Sequence, residues 1–157
     1  MTIRIAYYSW QGHTEKVATA LARSLNAELV RIEPPGKFSL AIGGIKALFS
    51  MKSAIKMSKT DLTGIDELII ATPVWSHKVP PFVNEYCSQV SGGQGKPFHV
   101  ITEMGGSGSE GAIAAVRKHL EKNGMRFVSS AATVERDVES GAYTAIVEKF
   151  TNSILKK

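Results

Sequence analysis

Residues Ser9–Thr14, with the sequence Ser-Trp-Gln-Gly-His-Thr, have the residue types of an anion-binding loop. They follow the apolar run Ile3–Tyr8 and lead directly into the amphipathic pattern of Thr14–Leu25. The first N–H groups of a helix lack partners within the helix and carry partial positive charge. A glycine permits close backbone approach, and the two hydroxyls can donate to phosphate oxygens. Two interpretations stay open: Ser9 or Thr14 caps the helix, or the loop binds a phosphate group.

Two further segments of unusual composition follow apolar runs. Residues 72–81, TPVWSHKVPP, place Trp75 at the end of an apolar run, where either the core or a flat aromatic ligand must cover its ring. His77 and Lys78 can add positive charge beside such a ligand, and the alternative for Lys78 is a side chain that points to solvent. In residues 103–111, EMGGSGSEG, the glycines allow backbone groups to reach the edge of a planar ligand.

The elements that position these loops alternate between strands and helices. Strands are predicted at Ile3–Tyr8, Glu28–Ile32, Glu67–Thr72, Pro97–Thr102 and Arg126–Val134. Helices are predicted at Thr14–Leu25, from Pro80 or Pro81 to about Val90, around Ala112–Lys122 and at about Ser140–Leu155. The alternation predicts an α/β fold with a parallel sheet and helices on both faces. Ligands of such sheets bind beyond the carboxyl ends of the strands, where all three loops begin.

Composition and motifs limit the classes of function that the chain can have. The 157 residues suit a single domain, residues 1–157, of ordinary composition. With neither a membrane-spanning apolar run nor a secretory pattern at the start, the expected location is the cytoplasm. Cys87 is the only cysteine and the four histidines show no ligand spacing, so no metal is predicted.

No Ser-His-Asp or paired-carboxylate arrangement is expected from the topology, and no catalytic residue is assigned. The first loop lacks the Gly-Lys-Ser/Thr ending of an ATPase loop.

Positive charge is concentrated in one segment. Between Pro34 and Thr60 there are five lysines and no acidic residue, which accounts for the whole net charge of +5. Such a segment attracts an acidic partner or an anionic substrate, although a solvated helix face explains it equally well. The conformation of Phe38–Lys59 stays open between one helix and an irregular excursion.

The chain resembles the flavodoxin family across nearly its whole length. YYSWQGHTEKVA is similar to that family's FMN-phosphate loop, hydroxyl-x-hydroxyl-Gly-Asn-Thr. GIDELIIATPVWSHKVPPFV resembles its Tyr-Asp-x-Ile-x-x-Gly-x-Pro-x-Trp segment with the proline-led helix that follows, and ITEMGGSGSEG falls where the family has its third flavin loop. The resemblance implies a three-layer fold with a five-stranded parallel sheet of order 2-1-3-4-5 and non-covalently bound FMN.

The resemblance also implies which residues contact FMN. The side chains of Ser9, Gln11, His13 and Thr14, with the backbone of Trp10–Thr14 including Gly12, would hold the phosphate. Gln11 and His13 depart from the family's hydroxyl and Asn, and Glu103 replaces a hydroxyl or small residue. The isoalloxazine would lie between Pro73, Val74, Trp75, Ser76, His77 and Lys78 on one side and Glu103, Met104, Gly105, Gly106 and Ser107 on the other.

Three functions follow. The leading hypothesis is an FMN-binding electron carrier whose partners are redox proteins, acidic ones if the basic segment 37–59 docks them. The second is an FMN-dependent NAD(P)H oxidoreductase that reduces a quinone or a flavin. The third is a module that binds nucleic acid or a membrane surface through its basic segment. Few aromatics are interleaved with the lysines of that segment and no known nucleic-acid fold signature is visible, which argues against it. We therefore expect neither nucleic acid nor membrane among the partners, and a monomer or a homodimer.

Overall fold

A computed structural model describes residues 1–34 and 59–156 of the chain. Its five strands are β1 (Ile3–Tyr7), β2 (Glu28–Arg31), β3 (Glu67–Pro73), β4 (Pro97–Met104) and β5 (Arg126–Val134). Within the same residues the helices are α1 (His13–Leu25), α2 (Pro81–Gln89), α3 (Ser109–Lys122), α4 (Glu135–Ser140) and α5 (Tyr143–Leu155). All the predicted strands are confirmed, and only their ends shift by one or two residues.

The strands form one sheet with the order β2-β1-β3-β4-β5, and every neighbouring pair is parallel. This confirms the predicted fold. The central strand β3 is buried along its whole length, as expected for a strand covered on both faces. Because successive side chains point to opposite faces, Leu68 and Ile70 join one core cluster while Ile69 and Ala71 join the other.

Each face of the sheet is covered by its own helices. On one face, α1 and α5 contribute Val17, Leu21, Val147 and Phe150 to the core together with Val138 of α4. On the opposite face, α2 and α3 bury the aliphatic and aromatic positions that their helical periodicity predicted. None of the helices formed by residues 1–34 and 59–156 combines the length and the apolarity needed to cross a membrane.

The short helix α4 was not predicted from the sequence. It starts at Glu135, directly after the last residue of β5, so no turn residues announce it. Its carboxyl end is formed by Gly141 in the left-handed conformation, and the next helix begins at Tyr143 rather than at Ser140. The predicted last helix therefore corresponds to α5 with a later start, and the unpredicted α4 brings new side chains to the edge of the sheet.

Arg4 fixes the point where the chain rejoins the sheet after residue 58. Its Nε donates to the Glu28 carboxylate at 2.7 Å, and its NH1 donates to the Asp61 carbonyl at 2.6 Å. The Tyr86 hydroxyl donates to the Lys59 carbonyl at 2.8 Å, and the Lys59 ammonium pairs with Glu28. Of the five lysines in the basic segment, only Lys59 lies among the described residues; the predictions for residues 37–58 fall outside them.

A buried polar row crosses the sheet near the amino ends of three strands. The His99 ring, which has no exposed surface, has Nε2 3.1 Å from the Glu67 carboxylate and Nδ1 2.8 Å from the Ser129 hydroxyl. No Ser-His-Asp arrangement was expected from the sequence, and this row resembles one with a glutamate in place of the aspartate. The row lies at the opposite end of the sheet from the three loops, and the enclosed ring of His99 excludes a substrate. Its role is to satisfy polar groups inside the sheet.

The Glu67–His99 pair predicts a non-additive response to substitution. Glu67→Leu should lower the free energy of unfolding by about 2 kcal/mol, because it leaves the buried Nε2 atom of His99 without its carboxylate partner. The double variant Glu67→Leu/His99→Leu should recover part of that loss, since it removes both polar groups of the pair. Urea unfolding followed by circular dichroism measures both values. Additive losses in the double variant would contradict the pairing.

Candidate functional site

A cleft of about 200 Å³ opens at the carboxyl ends of β1, β3 and β4. All three sequence-selected loops contribute to it, in the place where the strand order reverses. Both polar and apolar groups face the cleft. Its lining residues are Ser9, Trp10, Gln11, His13, Thr14, Pro73, Val74, Trp75, Glu103, Met104, Gly105 and Glu135.

The first helix begins without a side-chain cap. Its N-cap residue is Gly12, whose φ of +93° is a left-handed conformation that favours glycine. The Ser9 hydroxyl accepts a hydrogen bond from the Gly12 N–H at 3.0 Å, so it shapes the loop and leaves the first turn of α1 uncapped. The capped-helix interpretation is therefore wrong. The amides of the first turn stay available to a ligand at the cleft.

Thr14 contributes a hydroxyl that the protein itself does not satisfy. The residue is 2% exposed, and its Oγ1 makes no hydrogen bond within the described residues. The Oγ1 atom lies close enough to Glu103 to lower the pKa of that carboxyl, without the geometry of a hydrogen bond. A buried polar atom without a partner is costly, and this one lines a cleft. A ligand oxygen in the cleft would satisfy it.

Arg31 supports the first loop from the neighbouring strand, and sequence reasoning missed it. Its NH2 donates to the Ser9 carbonyl at 3.3 Å, and its NH1 donates to the Glu15 carboxylate at 2.9 Å. The guanidinium also lies over the Tyr7 ring, 5.7 Å from its centroid. The sequence signal was faint, because Arg31 reads as an ordinary exposed position at the end of β2.

Trp75 serves both the core and the cleft. Its indole meets the Tyr8 ring edge to face with 5.7 Å between centroids and packs against the core, yet it also lines the cleft. Packing on the core confirms one of the two sequence interpretations of Trp75, and cover by a flat ligand in the cleft stays a prediction. Trp10 is 44% exposed and adds a second indole at the cleft. From the sequence, only the backbone of Trp10 was assigned to the phosphate. The one signal for its side chain was that the residue is a tryptophan.

The second loop ends in a tight two-residue turn. Trp75 and Lys78 exchange two backbone hydrogen bonds of 2.8 Å, and the residues between them, Ser76 and His77, have φ values of +47° and +62°. Left-handed backbone at two successive positions is typical of a type I′ turn, which usually contains Asn and Gly. Holding a non-glycine residue there costs about 1 kcal/mol or more, so surrounding structure must enforce the conformation.

Two glycines provide that support: Gly108, directly before α3, and Gly111, in the first turn of α3. A Cβ atom added to Gly111 would lie 2.3 Å from the His77 carbonyl oxygen, and one added to Gly108 would lie 2.8 Å from the His77 Cα. The Ser107 hydroxyl also lies 3.5 Å from His77 Nε2. These glycines therefore serve loop-to-loop packing rather than the ligand approach predicted for the whole glycine-rich segment.

The structure thus separates the sequence-predicted residues into two groups. Eleven of them line the cleft, whereas the other six are not among its lining residues: Gly12, Ser76, His77, Lys78, Gly106 and Ser107. The charges at the cleft differ from the expectation as well. Instead of His77 and Lys78, the ionisable side chains that line it are His13, Glu103 and Glu135. The predicted contact of His77 and Lys78 with the ligand stays a prediction.

Glu103 is the most deeply buried of these ionisable groups. It is 9% exposed at the carboxyl end of β4, and burial raises the pKa of its carboxyl. His13 lowers that pKa through its charge, and Glu135 raises it further. The His13 ring lies 3.6 Å from a Glu135 oxygen and 3.8 Å from a Glu139 oxygen. The sequence gave no signal for the two α4 carboxylates, because that helix was itself not predicted.

The sheet order and the position of the cleft define a flavodoxin-like protein. A family model described as NADPH-dependent FMN reductase matches residues 5–139, most of the chain. The chain therefore belongs to the NADPH-dependent FMN reductase family. This membership confirms the predicted class, a flavodoxin-like protein with FMN as its cofactor. No curated protein matches the sequence.

Solved structures agree on the fold. A flavoprotein from Lactobacillus acidophilus, crystallised in complex with FMN, has a TM-score of 0.72 at 19% identity, covering 90% of this chain and 98% of its own. A WrbA-like flavodoxin from Agrobacterium tumefaciens has a TM-score of 0.60 at 18% identity, covering 96% and 97%. A flavodoxin variant from Pseudomonas aeruginosa also has a TM-score of 0.60 at 18% identity, covering both chains completely.

The contact between the second and third loops predicts an unusual effect of alanine in a helix. Gly→Ala inside a helix normally stabilises by up to about 1 kcal/mol. Gly111→Ala should instead destabilise by about 1–3 kcal/mol, because its methyl group collides with the His77 carbonyl.

Gly106→Ala is the matched control, since an added Cβ there meets no atom within 4 Å. Its unfolding free energy should stay within about 0.5 kcal/mol of the parent value. Chemical denaturation of the three proteins gives the comparison. Equal stability of the Gly111→Ala variant and the parent would refute the steric account.

Proposed function

We propose that the cleft holds FMN non-covalently, with its phosphate at the start of α1, and that the protein transfers electrons between redox partners. The observation that supports this most directly is the uncapped start of α1 beside the unsatisfied Thr14 hydroxyl. The amides of that uncapped start and the Thr14 hydroxyl are hydrogen-bond donors at the positive end of a helix. Donors in this position suit a phosphate group. Ser9, Gln11 and His13 line the same part of the cleft and would complete the phosphate site.

The remaining lining suits a flat ring. Val74, Trp75 and Met104 present apolar surface from the second and third loops, and Trp10 adds an aromatic face. Because Trp75 is held by Tyr8 and by the core, it offers a rigid wall. Bound FMN would supply the redox chemistry, while these side chains position its ring and exclude water.

The second candidate function is an FMN-dependent reductase that takes electrons from NAD(P)H. The family match specifically favours it, because NADPH appears in the description of that family. Rapid mixing of the FMN-loaded protein with NADPH separates the two functions. Loss of flavin absorbance within milliseconds to seconds identifies a reductase, whereas an electron carrier stays oxidised until a partner protein reduces it.

We further propose that the protein works in the cytoplasm and docks acidic redox partners through its basic segment. Cys87 is a free thiol, and burial raises its pKa. A free thiol is typical of proteins in a reducing compartment. The five lysines between residues 34 and 60 would attract an acidic partner. Association with such a partner should weaken steeply with added salt.

Substitution of Thr14 tests the phosphate site, because it should lower the affinity for FMN without lowering the stability of the FMN-free protein. Thr14→Val keeps the shape of the side chain and removes the hydroxyl. Affinity for FMN should fall roughly tenfold, the value of one hydrogen bond to a charged group, while stability without FMN stays equal or rises by up to about 1 kcal/mol. Titration with FMN followed by flavin fluorescence measures the affinity.

Thr151→Val on α5 is the matched control. Thr151 is also buried, and its hydroxyl has no partner within the described residues, but it does not line the cleft. Its substitution should have a similar effect on stability and leave FMN affinity unchanged. Unaltered FMN affinity of Thr14→Val would remove Thr14 from the phosphate site.

A further inference from the structure

We propose that Glu103 makes cofactor binding proton-dependent: as the phosphorylated flavin enters the cleft, the Glu103 carboxyl takes up a proton. The inference rests on the proposed function, because it concerns the same cleft and the same phosphate. It assigns a role to a carboxyl group at a position where the flavodoxin resemblance leads one to expect a hydroxyl or a small side chain.

The first observation is the charge around the start of α1. His13 and Thr14 form the first turn of that helix, and Glu103 of β4 and Glu135 of α4 line the cleft beside them. Glu139 of α4 faces the other nitrogen of the His13 ring. Three carboxyl groups and one imidazole therefore surround the place where the helix amides would receive a doubly charged phosphate. If all three carboxyl groups stayed ionised, their negative charges would repel the incoming phosphate.

The second observation is burial, which separates Glu103 from the other two carboxyl groups. Glu135 and Glu139 expose 44% and 61% of their side chains, so water and dissolved ions screen their charge. Both also lie within 4 Å of the His13 ring. The Glu103 carboxyl is 9% exposed, and what faces it is His13 and Thr14 from α1 and Glu135 from α4. It is therefore the group whose charge is least screened from the phosphate.

The direction of the coupling follows from linkage. An anion beside Glu103 raises the pKa of that carboxyl above its value in the ligand-free protein, where burial has already raised it. Below both pKa values the carboxyl is neutral in either state, and affinity is independent of pH. Between them, binding takes up a proton, so affinity falls as pH rises, by at most tenfold for each pH unit. Above both values affinity is constant again, at its weakest.

The test measures the dissociation constant of FMN between pH 7.5 and 8.5, where a phosphate with a second pKa of about 6 is almost wholly doubly charged. For the parent protein we expect the dissociation constant to rise with pH, by at most tenfold for each pH unit. Glu103→Gln should bind FMN with little dependence on pH and more tightly than the parent at pH 8.5. Calorimetry in buffers of different ionisation enthalpy should detect a proton taken up by the parent protein on binding and none by the variant.

Three controls isolate the group and the charge. Riboflavin lacks the phosphate, so the parent protein should bind it with little dependence on pH. Glu148→Gln removes an exposed carboxyl on α5, away from the cleft lining, and should behave as the parent does. Glu135→Gln should keep the pH dependence; if it abolishes that dependence and Glu103→Gln does not, the assignment to Glu103 is wrong.

Failure of this proposal is distinct from failure of the proposed function. A protein that takes up no FMN at any pH contradicts the function itself and this proposal with it. A protein that binds FMN with the same pH dependence in the parent and in Glu103→Gln keeps the function and overturns the role of Glu103. A flat pH profile of the parent, without proton uptake, overturns it as well.

Discussion

The site depends on one constraint: the first turn of α1 begins at the carboxyl edge of the sheet without a side chain to satisfy it. A parallel sheet delivers β1 directly into this helix, so its free amides point away from the sheet. Ser9, the nearest hydroxyl, is committed to the Gly12 amide, and Arg31 holds the carbonyl of Ser9 from the next strand. The loop is thus fixed in shape while its donors stay available, which is the arrangement expected of a preorganised anion site.

Much of the architecture could be predicted from the sequence, because it rests on strong local signals. Most strands stood out as apolar runs and β2 as an alternating pattern, and the succession of strands and helices left little choice of topology. The three loops were recognisable because hydroxyls, an aromatic residue and glycines fell where strands end. Trp75 shows the limit of such signals: its residue type required a cover, but only the structure shows that Tyr8 and the cleft share it.

The details that escaped prediction depend on contacts between residues distant in sequence. Helix α4 carries no turn signal before Glu135, so its carboxylates could not be placed beside His13. The polar row of Glu67, His99 and Ser129 arises from the register of three strands, which periodicity cannot supply. His77 and Lys78 were assigned to the ligand from the family resemblance, yet neither is among the residues that line the cleft, and His77 packs against Gly108 and Gly111. Charge in a loop sequence therefore says little about charge in the site.

The fit of His77 against Gly108 and Gly111 joins the two ring-facing loops into one mechanical unit. A designer who wished to reshape the cleft for another ligand could not graft either loop alone. A donor loop with a different turn would leave a void over the two glycines, and a donor helix with ordinary side chains there would displace the turn. Such redesign has to exchange residues 74–78 and 105–111 together.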